Sequence, residues 1–456
     1  MAHHPTNGTP PRLSMWRRVR EYAVPPSMIE TATARRAAGD WAGACAAARV
    51  DVDLDPHAVR HRHGTLLLSR LRADLRLLAP DLLRWHMPRI APDGRLRPGL
   101  TVSLARYRGD GDGTVHLVVR TPPAGADAGQ RMSLALWDPA GRTEAGHHPH
   151  PRPDRRFRLD LHRHLWSAPR PGDPRPAAAW APADWAADAE RLLRAEGLGP
   201  RGPFTVRLGA RRGAAYELVA PDDAHLPTVR PLREPLPPHA HAALPLLPEA
   251  AARPLPDLEL LRSGLITPDR LHPVVAAALG TAAPAPDAAP VPVHGPGDPH
   301  RVECRGEVHR IAPRDGVLTA VDHHPDQLRR EALLVALGGP PLPCLRAIDT
   351  VHRDPEALPA VRERLLHGDV TGALAVVEGL LGPRAVLRDG PLRAELRRAA
   401  ARRVDHGLYR AGLLPEHPAA RARRTRPDRR APDDIRAKRD ARGRPRTGLP
   451  RTDPAR

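Results

Sequence analysis

Proline constrains this chain more than any other residue. Fifty-seven of its 456 residues are Pro, against an average share of about 5%. Pro fixes φ and lacks an N–H, so it breaks helix interiors and central strands. A chain so punctuated is expected to build short elements, many turns and some unstructured linkers. Hydrophobic residues are 41% of the chain and aromatics 3%. A sizeable core is therefore affordable, built mainly from Leu, Val and Ala.

Between the prolines, the periodicity assigns elements. Residues 1–26 read as a loose N-terminal segment and 27–96 as a helical block. Leu71, Leu75, Leu78, Leu82 and Trp85 recur at helical spacing. Pro80 falls among them and predicts a kink or two consecutive helices. Residues 97–220 read as an antiparallel β unit with one helix. Its strands are expected at 100–107, 114–120, 131–138 and 156–165, with a further hairpin over 203–220. RGDGDG (108–113) lacks the ligand ladder of a calcium loop and reads as a hairpin turn. Residues 221–254 read as a Pro-rich linker, 255–280 as a short helical pair and 281–300 as a low-complexity linker. A β hairpin at 301–323 and a helical block at 324–415 follow. The fold class expected is α+β, with helical N- and C-terminal blocks flanking a central antiparallel β unit.

One pattern occurs twice. RRAAGDWAGACAAARV (35–50) and RLLHGDVTGALAVVEG (364–379) share Arg, Gly-Asp and Gly-Ala at matching offsets. Each reads as a glycine helix stop followed by an aspartate N-cap. LRADLR (71–76) and LRAELR (392–397) follow in the same order. Two units permit a duplication, while an Ala-, Gly- and Arg-rich vocabulary also produces such matches by chance.

The net charge of +19 invites a polyanion partner. Nearly all of the cations are Arg, which is also the mark of GC-rich coding. Residues 416–456 read as a disordered Arg-rich tail, because they hold almost nothing apolar to bury. From 419 onward that tail carries fourteen Arg or Lys against five Asp. Arg421, Arg423, Arg424, Arg426, Arg429 and Arg430 are its densest part. Arg393, Arg397, Arg398, Arg402 and Arg403 form a second basic strip on an expected helix. Together they are the candidate nucleic-acid or polyanion surface. The tail lacks aromatics to stack on bases, and its interspersed Asp residues dilute it.

Twenty-five histidines raise the question of metals. His57 and His61 lie at i and i+4 behind Asp53 and Asp55, on one helical face. No HExxH glutamate accompanies them, so a capped helix start is the competing reading. In HHPHPRPDRRFRLDLHRHLW (147–166), a strand places Asp160, His162 and His164 on one side. That side reads either as a metal or anion site with Arg155, Arg156 and Arg158, or as the wet face of a sheet. Cys45, Cys304 and Cys344 are odd in number and far apart, which argues against a disulfide framework or CxxC metal site. No cofactor is expected.

At APDLLRWHMPRIAPDG (79–94), HPHPRPDRRFRLDLHRHLW (148–166) and LRSGLITPDRLHPVVAAAL (261–279), the chain resembles an uncharacterised family from GC-rich actinobacteria. The resemblance runs over most of the chain outside the tail. It implies a cytoplasmic setting and carries no assigned activity, so it supplies no catalytic residues. No secretory h-region or membrane-length apolar run is present, which also points to the cytoplasm.

With no assembled catalytic motif, the sequence leaves enzyme activity open and leans against it. The leading expectation is a non-enzymatic adaptor or scaffold that binds a partner protein. A nucleic-acid-associated protein and a metal-dependent enzyme using a His cluster are the alternatives.

Overall fold

The computed structural model describes residues 11–108, 113–139, 148–169, 184–209, 212–220, 225–233, 236–280 and 300–413. The Arg-rich tail, the 281–299 stretch and most of the RGDGDG turn lie outside the described residues. The architecture is α+β.

The chain opens with α1 (Pro11–Arg18), a π-helical turn (Val19–Ala23), α2 (Pro26–Ala37) and α3 (Trp41–Ala47). Strand β1 (Val50–Asp53) leads into α4 (Pro56–Leu77) and α5 (Pro80–His86). The two short strands β2 (Arg89–Ile90) and β3 (Arg95–Leu96) pair with each other. Then come β4 (Thr101–Arg108), β5 (Thr114–Arg120) and β6 (Met132–Trp137).

Proline is used as a helix starter more than as a breaker. Pro26, Pro56 and Pro80 each stand at the start of their helix, where the missing N–H costs no intrahelical bond. Pro80 therefore separates two helices, α4 and α5. Leu71, Leu75, Leu78, Leu82 and Trp85 are all buried, as their spacing predicts. A second break falls inside α4, at Gly64, where φ is 79° and ψ is 170°.

The central sheet has the order β1-β6-β5-β4. Its β4–β5 and β5–β6 pairs are antiparallel, as expected. Its fourth strand is a correction. Residues 156–165 do not form a strand: Leu159–Leu161 and Arg163–Leu165 are 3-10 turns. The edge place is taken by β1, which pairs with β6 in parallel.

Four further elements build a small satellite layer. Helix α6 (Trp185–Ala195) packs on β7 (Gly202–Arg207) and β8 (Gly213–Val219), with β9 (Thr228–Pro231) added antiparallel. The stretch read as a Pro-rich linker thus contains a strand. It also holds α7 (Pro238–Ala243) and α8 (Glu249–Ala252). The helical pair follows as α9 (Pro256–Arg262) and α10 (Pro273–Ala278), both packed into the main core.

The C-terminal unit has its own core. Strands β10 (Arg301–Cys304), β11 (Glu307–Arg314) and β12 (Val317–Ala320) form a separate antiparallel sheet. Helices α11 (Pro325–Ala336), α12 (Pro343–Arg353), α13 (Leu358–Leu366), α14 (Val370–Leu381) and α15 (Pro391–Arg410) complete it.

The two Gly-Asp junctions fold alike. Gly39 and Gly368 take φ of +77° and +80°. Asp40 accepts from the Gly43 N–H at 2.7 Å, and Asp369 from the Gly372 N–H at 3.1 Å. Arg35 and Arg364, each five residues ahead of the aspartate, close the turn at 3.1 and 2.7 Å. Their surroundings differ. The second turn docks on the N-terminal half, where Arg49 donates to the His367 carbonyl at 2.7 Å and to Asp369 at 3.3 Å. The fully buried Arg84 donates to the carbonyls of Ala23, Gln130 and His367. The two helical blocks are therefore in contact.

Candidate functional site

A cavity of about 700 Å³ opens where five stretches distant in sequence meet. Helix α1 supplies Met15 and Trp16, the end of α5 supplies His86, and Met87 and the first residue of β2, Arg89, follow. Residues 156–159 and 249–256 close the far side. Met15, Trp16, Met87, Phe157, Leu159 and Leu255 make apolar walls. The volume falls within the span of about 300–1,000 Å³ usual for small-molecule sites.

The charged groups around it are almost all Arg, with Glu249 the one carboxylate of the lining. Several are already paired. Arg12 holds Glu259 at 3.0 Å, and Arg156 holds Glu249 at 2.8 Å. Arg158 grips Asp160 with two bonds of 2.8 Å and reaches Glu196 at 2.6 Å. Two are left over: the guanidinium groups of Arg97 and Arg253 make no hydrogen bond or ion pair with the described residues. Three buried donors of the lining, Trp16 Nε1, Arg89 Nε and Arg156 Nε, also have no acceptor. A buried donor without an acceptor costs roughly 1–3 kcal/mol. The lining thus has spare cations and spare N–H groups and no spare carboxylate.

Two buried His–Asp pairs resemble catalytic dyads, and one of them, through His86, lines this cavity. His86 Nε2 lies 3.3 Å from Asp257 Oδ2, which also accepts from Trp85 Nε1 at 2.8 Å. Burial works to raise the Asp257 carboxyl. The bonds from His86 and Trp85, with Arg20 nearby, outweigh it and hold the group below its ordinary value. His86 Nδ1 lies 3.1 Å from the carbonyls of both Leu82 and Leu165. Both ring nitrogens are therefore engaged. In the second pair, His272 Nε2 meets Asp81 Oδ2 at 2.7 Å while its Nδ1 accepts from the Val274 N–H at the start of α10. Each pair pins the α9–α10 segment onto α5. Neither leaves a free nitrogen to act as a base.

The residues singled out in the sequence are scattered. His57 and His61 are both exposed at the start of α4. Asp55 caps that helix by accepting from the His57 N–H at 2.8 Å, and Asp53 is taken by Arg410 of α15. His162 is buried, and burial pushes its imidazole down to about 4. His164 meets it edge-on at 5.9 Å. With 3-10 turns in place of a strand, Asp160, His162 and His164 do not form a shared strand face. Among the described residues, none of these four histidines belongs to a group of three or more His, Cys, Asp or Glu at metal-binding distance. On α15, Arg393 pairs with Asp389 and Arg398 with Glu395, which reduces the charge of the basic strip. Arg397 and Arg403 are exposed and Arg402 half-buried. Arg421, Arg423, Arg424, Arg426, Arg429 and Arg430 lie outside the described residues.

Two features had no sequence signal. Arg97 and Arg253 stand more than 150 positions apart, and nothing local marks either. The cysteines misled in the other direction. Cys304 and Cys344 are far apart in the chain, yet the fold brings both sulfurs together with His323.

The chain matches no protein-family model, and no curated protein or solved structure is similar to it at a significant level. Among the described residues, no helix is long and apolar enough to cross a membrane.

Proposed function

We propose that the chain is a cytoplasmic binding protein for a small amphipathic anion, held in the 700 Å³ cavity with its apolar part on the walls and its charge on Arg97 and Arg253. The observation that carries this reading is the mismatch in the lining: uncommitted cations and N–H donors over an apolar surface, with the one carboxylate already paired. An anionic ligand is the occupant that satisfies those groups. Binding is favoured over catalysis because the lining holds no Ser, Thr, Cys, Asp, Lys or Tyr, and His86 is fully engaged. The test is titration calorimetry of the full chain with dodecanoate and with dodecanol, which share a tail and differ in charge. The carboxylate is expected to bind at least about tenfold more tightly, since a charged hydrogen bond contributes roughly 1.5–3 kcal/mol. Equal affinity for the two would contradict the reading.

A protein-docking role has its own observation. Helix α11 has no buried residue, and Leu333, Leu334 and Val335, with Leu337 just beyond, are exposed. Such a patch on a surface helix marks a contact site. An adaptor of this kind predicts a stoichiometric partner in pull-downs from native lysate that is lost on Leu333→Glu/Leu337→Glu. Recovery of the same partner by that variant would end the idea.

A further inference from the structure

We propose that Cys304, His323 and Cys344 form a zinc site that stitches the β10–β11–β12 sheet to helix α12. The three ligand atoms lie within 4.8 Å of one another, and all three residues are buried, the two cysteines fully. They come from three separate elements: the end of β10, the turn between β12 and α11, and the first turn of α12. His323 Nε2 already faces Cys344 Sγ at 3.4 Å.

The geometry suits zinc. On a tetrahedral ion with Zn–S near 2.3 Å, two sulfurs stand roughly 3.8 Å apart and a sulfur and an imidazole nitrogen slightly closer. The observed grouping needs a contraction of at most about 1 Å to reach that arrangement. Two thiolates and one neutral imidazole are a donor set that favours zinc over the hard cations magnesium and calcium. His309 stacks on the His323 ring at 4.1 Å between centroids, and a water would complete the tetrahedral set.

Charge decides whether such a core site is tolerable. Without metal, burial and the neighbouring Cys304 sulfur push the Cys344 thiol up to about 12. Binding replaces two S–H protons, which leave to solvent, with one Zn²⁺. Two thiolates, a neutral His and a dication sum to zero, so no net charge is buried. Cys344 also stands in the first turn of α12, an eleven-residue helix, where the dipole favours a thiolate. Cys45 provides the contrast: buried alone in α3, its thiol is likewise pushed up to about 12 and no second ligand approaches it closely enough to form a metal-binding group among the described residues.

The test uses the full chain purified from zinc-supplemented cells. Elemental analysis is expected to find one zinc per chain, and exchange for Co²⁺ is expected to give thiolate-to-metal charge-transfer absorption. His323→Gln keeps both sulfurs, so the charge-transfer band should persist while zinc affinity falls at least about tenfold. Cys304→Ser/Cys344→Ser should lose the metal, and the native-chain cobalt spectrum keeps the proposal testable even if that variant fails to fold. Native chain without stoichiometric zinc and with all thiols alkylated on unfolding would overturn the site. So would a Cys304–Cys344 disulfide detected by mass spectrometry.

Discussion

Asp40 and Asp369 have the same local chemistry and different energetic settings. Each caps a helix and closes onto an Arg five residues earlier, which is why both roles were legible: the bonds span three to five positions. The Arg35–Asp40 side chains are 60% and 39% exposed, so that pair contributes little. At Arg364–Asp369 the exposures are 29% and 11%, and Arg49 adds a third charge from 320 positions away. No local pattern encodes that partner. The histidines show the same limit. His148 and His162 are buried, and burial holds both imidazoles down to about 4 from an ordinary 6.5. Between those values the unfolded chain takes up a proton that the folded chain refuses. The stability these groups confer is thus present above pH 6.5 and lost as pH falls toward 4, by up to about 1.4 kcal/mol per pH unit for each. His162→Gln should flatten the fall of urea-unfolding free energy over that window. An unchanged slope would show that His162 titrates normally.

At the scale of elements, the sequence was most reliable where proline and glycine set the boundary. Pro80 divides α4 from α5, and Gly39 and Gly368 both end helices in the left-handed region. The strand expected at 156–165 failed for a physical reason. Arg158 bonds to Asp160 two positions on, and the backbone closes from Leu161 to Arg158 and from Leu165 to His162. These local bonds compete with a sheet ladder. The true edge strand, Val50–Asp53, is only four residues long, and parallel pairing is not marked by any hairpin. The two junction glycines also separate local fold from docking. A Cβ on Gly39 meets open space, while one on Gly368 would overlap the Gly129 carbonyl. Gly39→Ala should cost about 1–2 kcal/mol, from positive φ alone. Gly368→Ala should cost at least about 1–3 kcal/mol more, from the clash. Equal losses in urea unfolding would contradict docking of the second turn.

The whole molecule is organised by long-range contacts that composition could not reveal. Arg84 ties three backbone segments together without a carboxylate partner, and Arg410 of α15 grips Asp53 of β1 across 357 positions. The same long-range assembly makes the cavity, whose basic groups come from segments that look unremarkable in a chain this rich in Arg. The sequence concentrates charge in the tail; in the described structure the uncommitted charge that meets an apolar hollow is Arg97 and Arg253. The most direct measurement is therefore calorimetric titration of dodecanoate into the native chain, Arg97→Ala/Arg253→Ala and, as a control on the distant α15, Arg402→Ala. The double variant should lose at least about tenfold in affinity, as expected for removing a charged hydrogen bond, while Arg402→Ala binds like the native chain. If all three bind dodecanoate equally, or none binds it, the cavity is not the anion site assigned to it.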